Sequence, residues 1–217
     1  MVYFVRFDAM WMKKFKKRNV GAKEYSAKPN AIVLAALELF TRYGYRKTSI
    51  DDIAQTAQVA KRTVYLHFEN KAAVFLAILE YLGDQVRQRC VAAERMGGTA
   101  VDRLTDFLDA YFGMAFELFS KSAHMPELEE TFSKLARARI GNLNTEYEAQ
   151  LARFLRSLER TGEIGGPPRG LTVEQLVHIL VRAAEGAKHD PTLQGDRKAL
   201  ERRMRELAIL AIAAMKK

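Results

Sequence analysis

The stretch Ser49–Phe68, SIDDIAQTAQVAKRTVYLHF, reads as two short helices joined by a tight turn. Ser49 is placed to cap the first helix, and Asp52 three residues on completes a capping box. Ile50, Ile53, Ala54 and Ala57 then fall at i, i+3, i+4 and i+7, one apolar stripe about two turns long. Gln58-Val59-Ala60 makes the turn. Lys61-Arg62-Thr63 opens the second helix, in which Val64 and Phe68 face inward four residues apart. A helix this short and this polar is marginal on its own, so its outer face needs a use. Helix, tight turn and basic second helix form the pattern of a helix-turn-helix DNA reader, whose second helix lies in the major groove.

With Thr48 before it and Glu69-Asn70-Lys71 after it, the stretch resembles the DNA-binding signature of the TetR family of bacterial transcriptional regulators. The matching residues are Thr48-Ser49-Ile50, Asp52-Ile53-Ala54, Ala57, Val59, Thr63-Val64-Tyr65, His67-Phe68 and Lys71. Two positions depart from the family pattern. Gln58 stands where the family usually has Gly, at a turn position that tends toward left-handed geometry, where a Cβ costs roughly 1–2 kcal/mol. Ala60 replaces the usual Ser, which would cap the second helix for about 1 kcal/mol.

Charge is segregated in the same direction. Residues 1–72 carry 14 Lys/Arg against 6 Asp/Glu, while residues 73–217 carry 21 against 20, so nearly all of the net +9 lies at the N-terminal end. Such asymmetry fits a basic module that meets phosphate backbone, joined to an electrically ordinary one. The single cysteine, Cys90, rules out an internal disulfide and suits a reducing cytoplasm; a packed structural thiol is the reading its surroundings favour. No apolar run approaches the ~18 residues of a membrane span, and Arg6 and Asp8 interrupt any secretory signal in MVYFVRFDAMWMKKFKKRN.

Hydrophobic spacing organises the rest as helices, with no strand-like alternation, and the fold expected is all-α. Residues 1–27 form a basic N-terminal tail with Lys13, Lys14, Lys16, Lys17 and Arg18 beside Trp11 and Phe15. It reads as a disordered tail with a weak, salt-sensitive DNA contribution, as a DNA-contacting arm, or as the product of a start placed ahead of Met10 or Met12. Residues 28–72 form the helix-turn-helix domain, whose supporting helix begins near Pro29 and stops at Gly44. Residues 73–217 form the second domain, expected to bind ligand and to dimerise. Its first helix, capped by Asn70, carries Phe75, Ile78, Leu79, Leu82 and Val86. The segment capped by Thr99 has an apolar surface too broad for a two-layer contact. A long helix from Pro126 to Leu158, kinked at Gly141, follows. Gly162–Gly170 is a loop, and two helices, capped by Thr172 and Asp196, close the chain.

The N-terminal residues of a recognition helix reach base edges, which selects Lys61, Arg62 and Thr63 for base and adjacent phosphate contacts. The resemblance adds Thr48, Ser49, Tyr65, His67 and Lys71, several of them at positions that hold phosphates in the family. Aromatic and Met residues concentrate on few helices, and they outline a candidate ligand pocket: Tyr111, Phe112, Met114, Phe116, Phe119, Met125, Phe132, Tyr147 and Phe154, with His124 and His178 as polar groups. Taken singly, each is as well explained by ordinary core. The resemblance implies dimerisation through the last two helices, and their stripes nominate Val173, Val177, Leu180, Ala184, Leu200, Met204, Leu207 and Ala211 for the interface.

The scattered histidines have no partner spacing for a metal, and neither a glycine-rich phosphate loop nor a nucleophile elbow occurs. No cofactor is expected, and an enzyme is not. The reading that results is a cytoplasmic, bacterial, homodimeric regulator without a membrane partner. By the resemblance it binds a pseudo-palindromic DNA operator and is a repressor released by a small apolar or aromatic effector. The alternative is an architectural DNA binder with a filled core and no effector.

Overall fold

The computed structural model describes residues 27–120, 122–193 and 195–215; the basic N-terminal stretch singled out above lies outside them. Among the described residues there are nine α-helices and no strand, so the chain is all-α. They are α1 (Ala27–Tyr43), α2 (Ile50–Thr56), α3 (Lys61–His67), α4 (Lys71–Arg95), α5 (Ala100–Phe119), α6 (Met125–Leu135), α7 (Arg137–Arg160), α8 (Val173–Lys188) and α9 (Arg197–Ala214), with a 3-10 turn at Pro191–Leu193 between the last two.

Caps set most of the boundaries. Pro29 lies in the first turn of α1, where a missing N–H removes no intrahelical bond. Gly44 stops that helix at φ +85, its N–H donating to Phe40 O at 3.0 Å. Any side chain there is strained at that φ, and its Cβ would stand 2.4 Å from Glu127 Oε2, so the Glu127 side chain at the start of α6 would have to move. Asn70, Thr99, Thr172 and Asp196 each cap the helix expected of them, Thr99 and Thr172 through full capping boxes.

The broad apolar surface of α5 is explained by its place at the centre of the molecule. It packs on α4, α8 and α9, and Leu104, Phe107, Leu108 and Phe112 are fully buried. Across the α5–α9 contact Arg197 clasps two carboxylates. Its Nη2 donates to Asp109 (2.5 and 2.6 Å) and its Nε to Glu117 at 3.0 Å. Gly113 lies beneath the guanidinium, where a Cβ would come within 2.4 Å of Nη2. The buried apolar side chains form one continuous cluster, from Ile32 and Phe40 through Phe75 and Leu155 to Met204 and Met215. The expected division at 72/73 falls inside the first turn of α4, so this helix serves both ends of the molecule.

Two expectations about helices are corrected. The continuous stripe from Pro126 to Leu158 is broken into α6 and α7 at Ala136, whose φ of −135 leaves the helical region. Gly141, the expected kink, lies inside α7 and is exposed. Ala136 itself is buried, so tertiary packing places the break and no local breaker marks it. The stripes of α8 and α9 also face the other way from the expectation. Val173, Val177, Leu180, Ala184, Leu200, Met204 and Ala211 are buried in the chain's own core, and Leu207 is half-buried against it. Their apolar periodicity reports contact with α5 and α7. Outward-facing apolar side chains on the same two helices are Ile179, Ile209 and Leu210.

Candidate nucleic-acid interface and inter-helix cavity

The paired short helices form as their sequence dictates. Ser49 Oγ accepts from Asp52 N (3.1 Å), and Ser49 N donates back to Asp52 Oδ2 (2.8 Å), closing the capping box. Hydrogen bonds from the Ser49 side chain and backbone hold the Asp52 carboxyl below its usual range. The turn then takes the left-handed conformation anticipated at Gln58, with φ +56. Ala60 occupies the N-cap of α3 without any side-chain hydrogen bond. Both departures from the family pattern therefore fall where the backbone makes demands that these residues do not meet.

Only Val64 of α3 is fully buried; it is anchored with Ile53, Phe40 and Ile32 in the core. Thr63 is half-buried, and Lys61, Arg62, Tyr65, Leu66 and His67 are exposed. Lys61 Nζ lies 2.9 Å from Asp51 Oδ2, and that hydrogen bond raises its pKa. Arg62 has no such partner among the described residues, leaving its five donors free to meet a ligand.

Three expected contacts at this end are placed otherwise. Thr48 is buried, its hydroxyl donating to Gly44 O at 2.8 Å, so it ties the α1–α2 turn and presents nothing outward. The Ser49 side chain is engaged in its cap. Lys71 turns its ammonium inward, donating to Tyr45 O and Thr48 O at 2.8 Å each while lying 4.4 Å from the Tyr45 ring centroid. Burial lowers its pKa. Two carbonyls and an aromatic face occupy the charge that the sequence offered to a phosphate.

Behind this surface, aromatic rings run from the α1–α2 turn into the helical body. Tyr45 meets Phe40 (5.2 Å between centroids) and Phe75 (5.3 Å), and Phe75 meets Phe132 of α6 at 4.8 Å. A polar latch lies alongside. Arg46 N donates to Glu127 Oε1 at 2.5 Å, Arg46 Nη2 reaches Glu130 at 2.7 Å, and Ser122 Oγ donates to Thr41 O at 2.8 Å. His124 takes part in this junction, with Nδ1 3.9 Å from Glu127 Oε2.

Phe132 is also a wall of a partly open cavity of about 350 Å³ bounded by α4 to α8. Leu79, Leu82 and Val86 of α4, Met114 and Leu118 of α5, and Leu143 of α7 make it apolar. Tyr111 and Tyr147 add stacked phenol rings 4.8 Å apart. Tyr111 donates to Asn144 Oδ1 at 2.6 Å and Tyr147 to Phe107 O at 3.2 Å. Burial pushes Tyr111 up to about 12 and Tyr147 well above its ordinary value, so both phenols are neutral at physiological pH. Charges gather at the rim. Arg87 bonds Asp84 and Glu146, the latter at 3.0 Å. Burial alone would raise the Glu185 carboxyl, but Lys188 (2.8 Å) and His189 (3.0 Å) hold it below its usual value.

Residues 32–78 match the sequence profile of the bacterial regulatory proteins of the tetR family. The chain belongs to the TetR family. It is 24% identical over 124 residues to IcaR of Staphylococcus aureus, the HTH-type negative transcriptional regulator of the biofilm operon icaADBC, a span of 57% of this chain and 67% of that one. The fold is that of two solved regulators. The fatty acid degradation regulator FadR from Bacillus halodurans superposes at TM-score 0.66 with 18% identity, over 89% of this chain and 98% of that one. SmeT, the repressor of the Stenotrophomonas maltophilia multidrug efflux pump SmeDEF, does so at 0.61 with 19% identity, over 88% and 92%. TetR-family membership makes the chain a DNA-binding transcriptional regulator.

In this TetR-family chain the expected pocket residues separate into two groups. Tyr111, Met114, Met125, Phe132 and Tyr147 line the cavity. Phe112, Phe116 and Phe154 are core; Phe154 stacks on Phe107 at 5.3 Å, on another face of α5. His124 is at the α1–α6 junction and His178 is exposed, 3.5 Å from Glu148. The Phe119 side chain lies outside the described residues. Two lining residues that the sequence reading missed are Asn144 and Gln150. Their signal was present: with Tyr147 they are polar residues at i, i+3 and i+6, interrupting the apolar face of α7. No helix among the described residues is long and apolar enough to cross a membrane.

Proposed function

We propose that the chain represses transcription as a homodimer on a pseudo-palindromic operator and is released by a small effector bound between α4 and α8. The observation that carries this reading is the outer face of α3. Arg62, Tyr65 and His67 stand exposed on a helix held by a single buried valine, an arrangement that gains nothing for stability and suits major-groove contact. The negative regulation named for IcaR and the repression named for SmeT support the direction of control. Ile179, Ile209 and Leu210 support dimerisation through the outward faces of α8 and α9, since exposed large apolar side chains gathered on two adjoining helices are a common mark of an interface. The effector acts through Phe132, shared between the cavity wall and the ring contacts that end at Tyr45. A ligand that displaces it biases α4 and α6 toward a spacing of the recognition helices that no longer fits the groove. The architectural alternative required a filled core, and the cavity argues against it.

Selection of bound sequences from a random DNA pool tests the reading, and enrichment of two half-sites about one helical turn apart is the expected result. On that operator Arg62→Ala costs about 1–3 kcal/mol and relaxes preference at particular base pairs. Equal loss on all sequences would reduce Arg62 to a phosphate contact, and no enrichment would overturn the regulator reading. Sedimentation checks the assembly. Leu210→Glu yields folded monomers, and an intact dimer would place the interface elsewhere.

A further inference from the structure

Two residues lining the cavity each carry a hydrogen-bonding atom without a partner among the described residues. Asn144 spends its carbonyl oxygen on the Tyr111 hydroxyl, and no acceptor among the described residues meets its amide nitrogen. Gln150 is buried and spends its amide nitrogen on Glu94 Oε1 at 3.3 Å, while no donor among the described residues meets its carbonyl oxygen. Neither atom is among those sealed from solvent without a partner, and both residues line the cavity. A donor and an acceptor thus stand unpaired among the described residues on α7, six residues apart on either side of Tyr147, whose ring stacks on that of Tyr111. An unpaired amide in an apolar cavity is a specific demand on whatever fills it.

The charges at the rim make the complementary argument. Arg87 is bound to Asp84 and Glu146, Lys188 to Glu185, and Arg182 lies 3.7 Å from Glu148. Each of these cations already faces a carboxylate, so none is left over to compensate an anionic ligand. An entering carboxylate would have to displace one of these partners, and an entering ammonium would find a carboxylate without a cation partner among the described residues at Glu129, which is exposed. Burying either charge against Leu79, Leu82 and Val86 without a partner is strongly unfavourable.

We propose that the effector is an uncharged ring compound bearing a hydroxyl group, which accepts from Asn144 Nδ2 and donates to Gln150 Oε1 while its ring lies against the tyrosine stack. A hydroxyl suits the pair because it is donor and acceptor at once. The inference rests on the effector reading above and narrows it to one ligand class.

Four probes on one ring framework test it at pH 7: naphthalene, 2-naphthol, 2-naphthoate and 2-naphthylmethylammonium. Each is titrated calorimetrically into the whole chain without DNA, alongside thermal melts. 2-Naphthol is expected to bind best, with the two ions weaker by about tenfold or more. Its advantage over naphthalene is expected to vanish in both Gln150→Leu and Asn144→Leu, whose affinity for naphthalene itself holds. A merely structural role for the amides would weaken both probes together. Tighter binding of either ion, survival of the hydroxyl advantage in both variants, or no titration by any probe would overturn the proposal. Operator affinity of the ligand-free chain is measured separately. Its absence would sink the regulator reading, whereas normal operator binding with a preference for a charged probe would sink this inference alone.

Discussion

Helices α3 and α5 stand at opposite extremes of burial in the same chain. On α3, Lys61, Arg62, Tyr65, Leu66 and His67 are all exposed and Val64 alone is held inside. On α5, Leu104, Phe107, Leu108 and Phe112 have no exposed surface, and neighbouring helices cover it on several sides. A helix of seven residues does not hold itself in water. The conformation of α3 is therefore lent to it by Ile53, Phe40 and the continuous core behind them. Recognition residues and stability residues are different residues at that end, so sequence can drift on the outer face of α3 without loss of fold. Around the cavity the two roles coincide, because Tyr111, Tyr147 and Phe132 are at once lining and packing.

The largest test of that contrast is Phe75→Ala. Phe75 is buried at the junction of the two ends, touching Tyr45 and Phe40 on one side and Phe132 on the other. Truncating a buried phenylalanine costs about 3–5 kcal/mol, and denaturant unfolding followed by circular dichroism measures it. With one continuous core the loss appears in a single cooperative transition. Two separated transitions would break the comparison, showing that the helix-turn-helix end folds on its own.

The same contrast decides what could be read from the sequence. The α2–α3 unit is local: a cap at Ser49, a box at Asp52 and inward residues four apart lie within twenty residues, and each appears where its spacing demands. The cavity is a space that the helices do not fill, bounded by residues from Leu79 to His189, and no periodicity encodes a void. Aromatic content found Tyr111, Phe132 and Tyr147 but could not separate them from Phe112 or Phe154, whose helix face decides the matter. The α8 and α9 stripes carry the same lesson. A stripe says that a face is covered, and here α5 and α7 of the same chain cover it. The outward Ile179, Ile209 and Leu210 are the off-stripe residues that a search for periodicity passes over.

Lys71 sharpens the boundary between reading DNA and holding the reader. Its ammonium donates to Tyr45 O and Thr48 O, so it ties the α1–α2 turn to the start of α4. Charged hydrogen bonds of this kind contribute about 1.5–3 kcal/mol. Lys71→Met keeps the length of the side chain and removes the donors. The expected outcome is lower stability by roughly that amount and weaker binding on every sequence, with the dependence of affinity on salt unchanged. A phosphate contact would instead flatten the salt slope by about one unit. A flattened slope with unchanged melting would return Lys71 to the DNA-contacting set.

The smallest effects lie in the turn itself, where the sequence departs from what its backbone asks. Gln58 holds φ at +56, a conformation that disfavours a side chain by roughly 1–2 kcal/mol and that glycine enters freely. Part of that gain is offset because glycine also has more freedom to lose on folding, so Gln58→Gly stabilises by about 1 kcal/mol. Ala60 leaves the first N–H groups of α3 without a side-chain acceptor, and Ala60→Ser supplies one for about 1 kcal/mol. The two positions are neighbours in one turn, so their gains need not add, and a double-mutant cycle measures the coupling. Both changes act on α3 alone, far from the cavity. The melting midpoint therefore rises and effector affinity stays at the wild-type value. If stabilising the turn also changed effector affinity, the separation drawn between the outer face of α3 and the helical body would fail, and the turn would belong to the coupling itself.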